Sequence, residues 1–200
     1  MKSIGKIFFL LLTIFLFTQS LIADEQLELK NHFLNKIDEV ILIVEDKQLS
    51  KDDRNTNIVK ALTPMFDFEL MAKLSLGNRW KELSKVDQDR FVELYVKRMK
   101  QSYSAKIDAY KDEKVEVKKL EQPKPDRIAL ITDLISKQDK LEIVYRFHKP
   151  RTPIATKDSW VVYDVEILGV SILKTDMAQF KEFLQTKSIT ALMDALAKQS

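Results

Sequence analysis

The hydrophobic pattern changes period partway along the chain: apolar residues recur every three or four positions up to about residue 110 and alternate beyond it. Ahead of the periodic region, Lys2 and Lys6 precede an apolar run from Ile7 to Phe17, and Ser20 and Ala23 supply small residues before Asp24. The run is too short to span a bilayer, so residues 1–23 are expected to be a secretory signal cleaved near Ala23, leaving 24–200 as one domain. From about Gln26 to Lys47, the residues Leu29, Phe33, Ile37, Val40, Ile41 and Val44 mark a first helix, and a second runs from about Asp53 to Leu62. Pro64 ends it by pushing Thr63 out of the helical region. A third, short helix has Asp67 as N-cap, Leu70, Met71 and Leu74 on its apolar face, and Gly77 as its stop. Ser84 with Asp87 then imitates a capping box and opens the longest helix. Its stripe comprises Phe91, Leu94, Tyr95, Met99, Ser102, Tyr103, Ile107 and Tyr110.

The alternating half predicts strands. Val115 and Val117 share a face of the first, Pro123 and Pro125 mark a turn, and Ile128, Leu130, Thr132 and Leu134 share a face of the second. In the third, Leu141, Ile143, Tyr145 and Phe147 alternate with Glu142, Val144, Arg146 and His148. The fourth is expected from about Ser159 to Leu168, with Val161, Tyr163, Val165 and Ile167 on one face and Trp160, Val162, Asp164 and Glu166 on the other. Gly169 interrupts before a short extension, Val170 to Leu173, and two helices follow: one patterned by Phe180, Phe183 and Leu184, one capped by Ser188 and striped by Ile189, Leu192, Met193 and Leu196. Helices first and a strand meander later predict an α+β fold, with helices on one face of a four- to five-stranded antiparallel sheet. A filled core and an enclosed apolar cavity are equally compatible with these periods.

Composition narrows the chemistry. The chain has no cysteine, which excludes disulfides, thiolate metal sites and a lipoprotein anchor. Loss of residues 1–23 would remove two of the 33 basic residues and none of the 30 acids, leaving a net charge of +1 and little long-range attraction for nucleic acid. With only Gly77 and Gly169 after residue 23, there is no glycine-rich phosphate loop or dinucleotide fingerprint. His32 and His148 are the only imidazoles and neither lies in a catalytic motif; no metal-binding motif is present. Asp164 and Glu166 share a strand face and form a conceivable acid/base pair, although alternating acids are ordinary on a surface strand.

Read together, FDFELMAKLSLGNRW, DQDRFVELYVKRMKQSYSAKIDAY and WVVYDVEILGVSIL followed by MAQF resemble the MlaC, or toluene-tolerance, family of periplasmic phospholipid-binding proteins. The likeness rests on Phe66, Asp67, Phe68, Met71, Ala72, Leu76, Gly77 and Trp80, then Gln88, Phe91, Tyr103 and Tyr110. It continues through Trp160, Val162, Tyr163, Asp164, Val165, Gly169, Val170, Ser171 and Phe180. Ser75 departs from the small apolar residues common there, and Lys187 and Ser188 stand where a glycine is often found. The resemblance implies helices packed on a sheet around a deep apolar cavity, no catalytic step, no cofactor, and phospholipid as bound ligand. It also implies two partners, an outer-membrane lipoprotein complex and an inner-membrane ABC transporter complex containing an MCE-domain protein. Phe91, Tyr95, Met99, Tyr103, Ile107 and Tyr110 of the long helix are the expected lipid-binding wall on one side. Ile143, Tyr145, Phe147, Tyr163, Val165 and Ile167 of the sheet are expected on the other. Phe66, Phe68 and Trp80 are assigned to the core. The rival reading is a periplasmic chaperone or lipoprotein carrier using the same apolar groove; an enzyme would need a convergent polar cluster within it.

Overall fold

Helices α2 to α6 all begin at a side chain that accepts a hydrogen bond from a free backbone N–H of the first turn, an arrangement worth about 1 kcal/mol at each helix start. Ser50 caps α2 (Lys51–Leu62), Asp67 caps α3 (Phe68–Leu76), and Ser84 caps α4 (Lys85–Ile107) through the Asp87 N–H at 3.2 Å. Ser171 caps α5 (Ile172–Thr186) and Ser188 caps α6 (Ile189–Lys198). The computed structural model describes the backbone over residues 2–107, 114–137 and 139–198, and side chains over 24–101, 114–137 and 139–198. It divides into two compact units, Met1–Asp38 and Glu39–Ser200. The first is helical throughout its described length and belongs to α1 (Lys2–Glu45), whose last turns fall in the second.

In the second unit, α2 runs into a tight helical turn at Thr63–Met65, and α3 into another at Gly77–Glu82. Thr63 keeps helical angles, φ −54° and ψ −38°, so Pro64 does not push it out of the helical region as expected; the proline sits in the first turn of Thr63–Met65, where its missing N–H costs nothing. The chain then forms a five-stranded antiparallel meander in the order β1-β2-β3-β4-β5: Lys114–Lys124, Arg127–Ile135, Lys140–His148, Val161–Ile167 and Val170–Ser171. Helices α3 and α5 pack on β4, α3 also packs against α4 and α5, and α6 packs against α4 and α5. The result is the α+β architecture expected from the change of period.

Two features of the strands also differ from expectation. The extension after Gly169 is a strand for only Val170 and Ser171, because the Ser171 hydroxyl takes the Lys174 N–H at 3.0 Å and starts α5 at once. The second difference is a bulge in β4. Arg146 pairs with Asp164 but Phe147 pairs with Val162, so Tyr163 is the extra residue. A bulge of this kind resets the alternation beyond it. Val162 therefore joins the face of Phe147, and Val161 pairs with His148 on the opposite face, reversing the expected assignment at that end.

Candidate functional site

Register gathers one apolar sheet face from four strands. Its cross-strand rows are Ile128–Phe147–Val162, Leu130–Tyr145–Val165, and Thr132–Ile143–Ile167, with Leu134–Leu141 at the far end. Val115 and Val117 of β1 extend it through their partners Leu134 and Thr132. The Thr132 hydroxyl donates to the Ile143 carbonyl at 3.0 Å, so its proton is committed within the sheet, and Tyr145 carries the other hydroxyl of these rows. Ile128, Leu130, Phe147, Val162 and Val165 are buried, whereas Leu134, Leu141, Ile143, Tyr145 and Ile167 are only half-buried.

Tyr145 has a particular position on this face. Part of its surface is uncovered, yet burial pushes its phenol up to about 12 from an ordinary 10.0. The consequence for stability has a definite sign. Above pH 10 the unfolded chain gives up a proton that the folded chain keeps, so stability present below pH 10 falls by ~1.4 kcal/mol per pH unit until about pH 12. Urea titrations of the wild type and Tyr145→Phe at pH 9, 10, 11 and 12 are expected to diverge only above pH 10.

The opposite face is held by charge. Arg146 pairs with Glu166 at 2.7 Å, Lys140 with Asp133 at 2.6 Å, and Lys118 with Glu142 at 2.9 Å. The two acids that share this face as a conceivable acid/base pair are both in structural use. Asp164 is buried and accepts from the Ser171 hydroxyl at 2.7 Å and the Leu173 N–H at 3.0 Å, fixing the start of α5, while Glu166 belongs to Arg146. Asp67 and the buried His148 form a second tie at 2.8 Å. Burial alone would raise the Asp67 carboxyl, but bonds from His148 and the Leu70 N–H, with the charges of His148 and Lys157, leave it below the usual 3.8. Among the described residues, no group of three or more His, Cys, Asp or Glu is placed to hold a metal ion.

The expected wall residues separate into groups. Ile143, Tyr145, Phe147, Val165 and Ile167 lie together on the apolar face. Tyr163 is carried by the bulge to His148, whose ring meets its edge at 5.8 Å, and the Arg127 guanidinium lies 5.5 Å from its centre. Phe91, Tyr95 and Met99 are buried in the helical layer. There Phe91 and Tyr95 stack at 6.2 Å, and both meet Phe180 of α5, at 6.0 and 6.4 Å. Trp80 closes on Phe91 at 6.4 Å, in keeping with its assignment to core. Tyr103 and Ile107 lie on the last turns of α4, where side chains are outside the described set, and Tyr110 is outside the described residues.

A polar centre inside this helical layer has no counterpart in the sequence reading. Asp176 of α5, 2% exposed, accepts from the Tyr95 hydroxyl and from Arg98, each at 2.8 Å, while the Arg98 guanidinium stacks 5.6 Å from the centre of Phe180. Nothing in the local pattern TDMAQF distinguishes this acid from a solvated one.

No curated protein matches the chain at the level of sequence. By fold it is similar to a phospholipid-binding protein from Ralstonia solanacearum whose structure was solved in complex with a phospholipid, with a TM-score of 0.71 at 14% identity. The similarity covers 84% of this chain and 93% of that one. At that identity the likeness speaks for the fold, which is the same arrangement of helices on an antiparallel sheet. The sequence profile described as MlaC protein matches residues 35–198, a span that includes α2 to α6, all five strands, both caps of α3 and the Asp176 centre. With most of its length matched by that profile, and its fold shared with a phospholipid-binding protein, the chain belongs to the MlaC family.

Proposed function

We propose that this protein is a periplasmic phospholipid carrier of the system that maintains outer-membrane lipid asymmetry. It would shuttle lipid between an outer-membrane lipoprotein complex and an inner-membrane ABC transporter complex with an MCE-domain protein. The observation that carries this reading is the half-covered apolar sheet face in a chain of the MlaC family, with Ile143, Tyr145 and Ile167 at its open end. Family membership and the phospholipid-bound neighbour of the same fold support it. In this reading residues 1–23 direct export and are removed, and the acyl chains lie against the sheet face under the helices. Phe147, Val165 and the end of α4 complete the wall.

The energetics set what the protein must supply. Two acyl chains of about 16 carbons would lose roughly 25 kcal/mol in water at ~0.8 kcal/mol per methylene, so a carrier has to replace nearly all of their apolar surroundings. Such a task calls for an apolar wall and no catalytic group; the headgroup can remain in water. Native mass spectrometry of the exported protein, purified without detergent and followed by lipid extraction, is expected to show near-stoichiometric phospholipid. An empty protein that also takes no lipid from phosphatidylethanolamine–phosphatidylglycerol vesicles would overturn the proposal.

A further inference from the structure

Away from the apolar sheet face, an open groove of about 450 Å³ runs between the end of α3 and the outer side of α5. Leu76, Met177, Ala178 and Leu184 give it an apolar floor, and its two charged lining residues, Arg79 and Lys181, are both cationic. Met177, among the groove's lining residues, is 41% exposed. Arg79 has Glu82 at 3.3 Å, but both are about half-exposed and such a pair is worth little. Lys181 has no acidic partner among the described residues. The turn that brings Arg79 to the groove depends on Gly77, whose φ of 55° with ψ of −127° is a conformation reserved for glycine. A Cβ there would meet nothing within 4 Å, so the glycine serves the path of the backbone and not close packing.

The shape and the charge select the occupant. A bilayer surface is flat and would leave a concavity unfilled. An acyl chain lying in an open groove would keep one side in water. An amphipathic helix satisfies both conditions, since its apolar ridge fills the floor while its flanks remain solvated. Methionine suits such a surface because its flexible thioether adapts to an incoming ridge. Two cations with no acid among the lining residues favour carboxylates on the flanks and repel a basic helix.

We propose that this groove docks an acidic amphipathic helix of a partner protein, its apolar ridge on Leu76, Met177 and Leu184 and its carboxylates on Arg79 and Lys181. None of the residues assigned to phospholipid line it, so this docking site stands apart from lipid carriage. The test is an NMR titration of the ¹⁵N-labelled protein with a synthetic helical peptide bearing leucines at i, i+3 and i+7 and glutamates on either flank. Amide shifts are expected to concentrate at residues 75–79 and 177–184, and the double variant Arg79→Glu, Lys181→Glu should weaken binding roughly tenfold or more. A lysine-flanked version of the peptide should fail to bind. Both substituted residues are exposed, and extracted phospholipid from the variant should match the wild type, which separates a lost docking site from a lost carrier. Shifts elsewhere, or equal binding by the variant, would overturn the proposal. So would perturbation of the same amides by phosphatidylglycerol vesicles but not by the peptide, which would make the groove a membrane contact.

Discussion

Ile143→Lys is expected to empty the protein of phospholipid, while Val144→Lys, one residue along the same strand, is expected to leave it loaded. The two side chains are both half-buried but point to opposite faces of the sheet, Ile143 in the row with Thr132 and Ile167, and Val144 in the row with Glu166. An ammonium placed against acyl chains must shed its hydration or drag water into the site, a penalty of several kcal/mol. At about 1.4 kcal/mol per factor of ten, even 3 kcal/mol weakens lipid binding about 100-fold. On the opposite face the new lysine joins a surface already built from ion pairs, including Arg146 with Glu166. Lipid extracted per mole of each purified variant is the readout, with circular dichroism to establish that both fold. Equal lipid in the two variants would remove the sheet face as the binding wall.

Replacing Asp176 with alanine is expected to cost about 3 kcal/mol or more of folding stability. The carboxylate is almost fully buried and serves two donors, the Tyr95 hydroxyl and the Arg98 guanidinium, from the facing helix. Its removal takes the shared acceptor from a partly buried cation and a buried hydroxyl, and breaking a buried pair from one side costs about 3–5 kcal/mol. One Arg98 nitrogen, Nη1, is already buried without a hydrogen bond, so the guanidinium has little alternative to Asp176. For a protein of this size the loss corresponds to a fall in Tm of roughly 6–12 °C, measurable by calorimetry. Asp176→Asn keeps an acceptor for Tyr95 and should lose less, and Tyr95→Phe, which removes one neutral donor, should lose only about 1 kcal/mol. A loss below 1 kcal/mol for the alanine variant would show that Arg98 finds its solvation elsewhere.

The same centre accounts for the behaviour of α4. From its stripe alone, Tyr95 could present its ring to a ligand. Its hydroxyl is instead committed to α5, and its ring to Phe91 and Phe180, so this part of the stripe builds the helical layer that stands over the sheet. The half-covered surface lies on β3 and β4, where Tyr145 combines a desolvated phenol with uncovered area.

What the sequence by itself determined is local. Side-chain period distinguished helices from strands because it is set by 3.6 residues per turn in one and two per repeat in the other. The capping side chains Asp67, Ser84 and Ser188 act within three residues of the helix they start, so they could be identified without any knowledge of the fold. The family likeness drew on residues spread along the chain, and the profile match to residues 35–198 agrees with it. What the tertiary structure alone decided depends on partners distant in sequence. Tyr95 and Asp176 are 81 positions apart, as are Asp67 and His148, and no local pattern announces either pair. The bulge that turns Tyr163 away from Val165 exists only in the register between β3 and β4, where two residues face one. The basic groove likewise arises from Leu76 and Arg79 meeting Met177 and Lys181 across two helices. Periodicity tells which side of an element is apolar; only packing decides how much of that side another element covers.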